Sequence, residues 1–159
     1  MPMIFSPRAL TVTVTLAAVA ASLPVTAAAQ SQLERMEVLS ERASALMNEA
    51  MIAQLPALEG NMPDPAWDDP MRAAYGCVLE GYVQASSEAA VDTMLDEMDA
   101  MMETATAETL MSGAFGDGVQ LPEGMSEVQA QALMQDCGVM EIIMARMAES
   151  GAMQVMMDQ

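Results

Sequence analysis

The chain has 159 residues, with 23 carboxylates, five arginines, no lysine and no histidine, for a formal net charge of −18 at pH 7. That supply excludes most catalytic constellations: there is no Ser-His or Cys-His pair, no imidazole ligand or proton shuttle, no lysine Schiff base and no P-loop. It also argues against nucleic acid and anionic membrane surfaces, which need clustered Lys and Arg; a cationic partner or metal ions would suit the charge, and solubility alone is the simpler explanation.

Residues 1–29 read as a secretory signal peptide. Met1 to Arg8 carries one positive charge, Ala9 to Ala21 is apolar and uncharged, and Ala27-Ala28-Ala29 forms an Ala-x-Ala site before Gln30. An apolar core of about 13 residues is short of the roughly 20 needed to cross a bilayer. A cleaved product is therefore expected in the periplasm or cell envelope, or otherwise secreted, with no stable membrane insertion after cleavage. The exported part, Gln30 to Gln159, is one domain by size and keeps all 23 carboxylates against four arginines. Leu, Ile, Val and Phe make only 22 of its residues, a fraction that warns of disorder at this charge. Eighteen Met and twenty Ala take their place, and both are good helix formers.

The exported part opens on Ser31-x-x-Glu34, the pattern of a capping box. At about 100° per residue, Met36, Leu39, Ala43, Leu46, Met47, Ala50 and Ala53 then share one face, which predicts an amphipathic helix to about Gln54. Arg35 and Arg42 flank that face, within reach of acids on a neighbour. Pro56 to Pro70 holds four prolines and Gly60-Asn61, so no long regular element fits. Within it, Trp67 is the only tryptophan, flanked by Asp64, Asp68 and Asp69. It is either the anchor of a docking loop or a ring folded back to cap the bundle. A core short of aromatics favours the second.

The stretch Met71 to Ala85 predicts a helix with Pro70 at its start and an apolar stripe of Met71, Tyr75, Val78 and Tyr82. Cys77 lies off that stripe, beside Gly81. If it is covered, a second element must approach the helix there, and Gly81 would admit it closely. After Ser86-Ser87 a third helix is expected from Glu88 to about Met111, with Val91, Met94, Leu95, Met98, Met101, Met102 and Ala105 as a core-facing stripe. Asp92, Asp96, Asp99 and Glu103 form an acidic ladder beside it, costing about 0.2–0.5 kcal/mol per like-charged pair. Ser112 to Gly124 predicts a loop; Asp117-Gly118 lacks the alternating acids and terminal Glu of an EF-hand. Ser126-x-x-Gln129 is a second capping box, opening a helix to about Glu149 interrupted only by Gly138. Its stripe collects Ala130, Leu133, Cys137, Met140, Met144 and Met147. Ser150-Gly151 then marks a stop before a short Met-rich tail.

Cys77 and Cys137, the only cysteines, sit in a chain bound for an oxidising compartment and predict one structural disulfide. The methionines permit two sharper readings. Thioethers favour Cu(I), so a Met- and acid-rich exported chain could carry copper, but the stacked stripes suit core filling equally well and no metal site is assigned. Alternatively Met supplies an adaptable surface for a partner protein or apolar ligand. Trp67, Met94, Met98, Met101, Met102, Met140 and Met144 are the candidate contacts. The expectation is an all-α, four-helix bundle-like domain after a signal peptide, non-enzymatic, with no cofactor, acting as an envelope binding or accessory protein.

Overall fold

The computed structural model describes residues 25–112 and 121–158, with side chains from residue 31 onward. The predicted signal sequence up to residue 24 and the loop positions 113–120, including Asp117-Gly118, lie outside the described residues. The described residues are helical throughout their regular elements: α1 (Val25–Gln54), a single 3-10 turn (Pro56–Leu58), α2 (Asp69–Ala85), α3 (Glu88–Thr104), α4 (Ala107–Met111), α5 (Glu127–Asp136), α6 (Val139–Glu149) and α7 (Ala152–Met157). The protein is all-helical, as the periodicity predicts.

α1 is the spine, packing against α2, α3 and α4. The opposite side of α2 is covered by α5 and α6, and α7 returns to the 3-10 turn. The predicted stripes of the first three helices supply most of the core. Met36 and Leu39 of α1, Val78 and Tyr82 of α2, and Val91, Met94, Leu95 and Met102 of α3 meet in one core with Ala130 and Val139. A fully buried Val, Leu or Met contributes about 1.5–3 kcal/mol. A core of this size therefore holds the chain despite few large aliphatics.

Three sequence expectations change. α1 begins at Val25, so Ser31 lies inside a helix and the first capping box does not mark its start. One turn before Met36, Gln32 is almost wholly buried (1% exposed), donating its amide N–H to Glu88 O at 3.2 Å and Asp92 Oδ1 at 3.0 Å. A polar residue in the stripe is tolerated because both bonds are made. The third helix is broken after Thr104: Thr106 caps α4, its hydroxyl accepting from the Thr109 amide while Thr109 answers at the Thr106 amide. Threonine hydroxyls compete with helical bonding, and here they restart it.

The fourth helix is also broken. Cys137 ends α5, Gly138 takes a left-handed φ of +74°, and α6 restarts with a shifted phase. The face that continues inward is Val139, Ile142 and Ile143, while Met140 and Met144 are 48% and 51% exposed. The predicted stripe through Cys137, Met140 and Met144 is thus not continuous, because a left-handed residue resets the 100° count. The second capping box, Ser126 with Gln129, forms in full at the start of α5.

Ion pairs join the elements. Arg35 of α1 bonds Asp96 of α3 and lies 3.6 Å from Asp92, and Arg72 of α2 bonds Glu37 of α1. The upper part of the acidic ladder is therefore partly neutralised from α1. These exposed pairs are worth about 0–1 kcal/mol each, so they align helices more than they stabilise them.

Candidate functional site

Cys77 and Cys137 are bonded, with Cα atoms 5.8 Å apart. The bridge ties α2 to the α5–α6 junction on the side of α2 away from its apolar stripe. There Gly81 explains the approach. A Cβ added to it would lie 2.5 and 2.9 Å from the Leu133 methyls, so α5 seats a leucine where any side chain on Gly81 would stand. Cys77 itself is exposed and Cys137 half-buried, so the bridge closes the edge of this contact, not its centre.

A concavity lies at the other end of α2. It is a cleft of about 330 Å³ between α1, the proline-rich loop, the start of α2 and α6. Its aromatic wall is Trp67 stacked on Tyr75, with ring centroids 4.5 Å apart and planes 20° apart. Met47 and Met51 of α1, Met62 and Pro63 of the loop, Met71, Ile143 and Met147 supply most of the remaining lining, with Leu110 of α4 and the Arg146 side chain. Burial pushes the phenol of Tyr75 above its ordinary value, and the neighbouring Tyr82 adds to the rise; burial alone raises Tyr82. Tyr75 is therefore a neutral wall at physiological pH.

The loop carrying Trp67 is pinned from two helices. Glu41 of α1 accepts the Trp67 amide at 2.8 Å, and Asn48 donates to Pro63 O at 2.9 Å. From α6, Arg146 Nη2 donates to Ala66 O at 2.6 Å. Within the loop Asp64 Oδ1 accepts the Ala66 amide, and Asp68 Oδ1 accepts the Met71 amide as the N-cap of α2. A loop holding Pro63 and Pro65 already has restricted backbone freedom. Five further bonds leave the cleft preformed, which lowers the ordering cost of filling it.

The structure sorts the sequence candidates into three groups. Trp67 folds back onto the core as the structural reading expects, and its half-buried ring also lines the cleft. Met94 and Met102 are buried in the core, with Met98 packed against it and Met101 half-buried. Met140 and Met144 lie on the outer side of α6. Neither methionine group lines the cleft. Met47, Met51, Met62, Met71 and Met147 do, and they come from four segments that no single helical pattern unites. The predicted stripes contain Met47, Met71, Tyr75 and Met147, but they lie on three separate helices and nothing local joins them to Trp67. Among the described residues no three His, Cys, Asp or Glu side chains are grouped to hold a metal ion, and no helix is long and apolar enough to cross a membrane. The chain matches no family model, no curated protein and no solved structure.

Proposed function

We propose that this chain is an exported, non-catalytic binding protein of the cell envelope that holds an apolar ligand in the Trp67 cleft. The observation that carries the reading is the cleft's make-up: a preformed stack of Trp67 and Tyr75 faced by five methionines. Small-molecule sites are concave, mostly apolar and usually preformed, with volumes of roughly 300–1,000 Å³, and this one is at the small end. Methionine is the side chain suited to that task, since its unbranched, polarizable thioether adapts to varied apolar shapes and packs well against aromatic rings. Export is supported by the signal-peptide pattern of residues 1–29 and by a disulfide between the only two cysteines. The absence of histidine and lysine from the sequence supports the non-catalytic part.

The test uses the chain's single tryptophan, which lies in the cleft. Titration with 1-octanol should change Trp67 fluorescence saturably, and Met47→Gln should weaken that response while leaving the thermal midpoint nearly unchanged, because Met47 is already 37% exposed. A linear, unsaturable response in both proteins would sink the proposal.

A further inference from the structure

We propose that the cleft's ligand is a small apolar molecule with an anionic head, seated on Arg146; this rests on the binding reading above and adds the ligand's chemical class. The argument begins from supply. With 23 carboxylates in the chain, an arginine without a close carboxylate is not short of candidates. Arg35 and Arg72 each bond a carboxylate directly, although 37% and 45% of their side chains are exposed and water could serve them. Arg146 is the least exposed of the three, at 18%. It has the greatest need of a counter-ion, since a desolvated charge is costly unless paired.

Its nearest carboxylate nevertheless stands off, with Asp68 Oδ2 4.0 Å from Nε, and that aspartate's other oxygen is committed to the cap of α2. Among the described residues the one hydrogen bond Arg146 makes is to a backbone carbonyl, Ala66 O. A guanidinium has five N–H donors, so most of its bonding capacity is unspent beside an apolar cleft. Its planar fork is matched by a carboxylate or phosphate oxygen pair. Asp64 also lines the cleft, but it is exposed to water and one of its oxygens accepts the Ala66 amide. The desolvated cation, not the hydrated anion, therefore sets the head group. The protein's overall negative charge acts at longer range and is screened beyond about 8 Å at physiological ionic strength. At roughly 30 Å³ for each water-sized group, the 330 Å³ cleft holds about ten non-hydrogen atoms, the size of an eight-carbon carboxylate.

Octanoate, 1-octanol and octylammonium share a chain and differ in head group, so titrating the purified protein with each while following Trp67 fluorescence reads the preference. Octanoate should bind about tenfold tighter than 1-octanol or better, the gain expected of a charge-assisted hydrogen bond, and octylammonium weakest. Arg146→Gln should bring octanoate down to the level of 1-octanol, weakening octanoate about tenfold more than it weakens 1-octanol. Equal binding of acid and alcohol, or preference for the amine, overturns the head-group assignment and leaves the binding reading standing. No Trp67 response to any of the three removes both. If Arg146→Gln weakens 1-octanol equally, Arg146 only holds the loop at Ala66 and the assignment falls. Should that variant not fold, the ranking of the three ligands on the unaltered protein, with Arg146→Lys retaining the charge, decides alone.

Discussion

Replacing Cys77 and Cys137 together by serine and alanine isolates what the bridge contributes. The bond closes a separation of 60 residues, for which the chain-entropy relation gives about 4 kcal/mol at 25 °C. Little of this comes from lost packing, because Cys77 is exposed and Cys137 is only half-buried. The contact it borders survives the substitution: Leu133 still seats on Gly81, and Val139 and Ala130 remain in the core with Val78. The variant should therefore keep its helical circular dichroism and lose stability through a freer unfolded chain. Against a total of about 5–15 kcal/mol for a small domain, the loss is roughly a quarter or more of what the protein has. In urea, with a slope of about 1–3 kcal/mol per molar, the midpoint should fall by roughly 1.5–4 M. The slope itself should steepen, since the unbridged unfolded chain exposes more surface. Coincident midpoints for the bridged protein and the variant would refute the reasoning. So would loss of helical signal in the variant without denaturant, which would mean that the bridge builds the α2–α5 contact instead of bordering it.

Two glycines separate steric from conformational causes. Gly81→Ala gains about 1 kcal/mol of helix propensity but drives a Cβ into Leu133, where overpacking costs about 1–3 kcal/mol. It should be net destabilising in thermal melts, and neutral or stabilising once Leu133→Ala makes room. Gly138→Ala meets no atom within 4 Å, yet its φ of +74° should cost about 1–2 kcal/mol in the same assay, with no rescue from any neighbouring truncation. Alkali should destabilise the fold through Tyr75 and Tyr82. Their folded values are raised, so the stability they carry is fully present below the ordinary tyrosine value of about 10 and is lost as pH rises through the raised values. Phenolate absorbance should accordingly appear later in the folded protein than in urea, and the denaturant midpoint should decline only on the alkaline side of that value.

Helix faces were legible because a 3.6-residue period survives the replacement of leucine by methionine. Met36, Leu39, Val91, Met94 and Leu95 are buried where the pattern puts them. The disulfide was legible from compartment and count, and Gly81 from its place beside Cys77. The interruptions were not. Thr106 and Gly138 lie within otherwise unbroken periodic runs, and whether a threonine caps or a glycine turns left-handed depends on the packing that rewards the break. Met140 and Met144 were therefore placed on an inward stripe although they face outward. The cleft was least legible of all. Its lining comes from Ser40 to Met51, Met62 to Tyr75, Leu110 and Ile143 to Met147, which only the tertiary fold brings together. Trp67 was marked by its acidic flanks, and Met47, Met71 and Met147 by their helical stripes, but nothing local joined them into one lining.

The same methionines give the most direct test of the Trp67 cleft as a ligand site. With 13C-labelled methionine methyls, each assigned by single substitution, addition of 1-octanol should shift the signals of Met47, Met51, Met62, Met71 and Met147. Those of Met36, Met94 and Met102 in the core, and of Met140 and Met144 on the outer face of α6, should stay in place. Shifts centred on Met140 and Met144, or spread evenly over the exposed methionines, would contradict the assignment of the cleft.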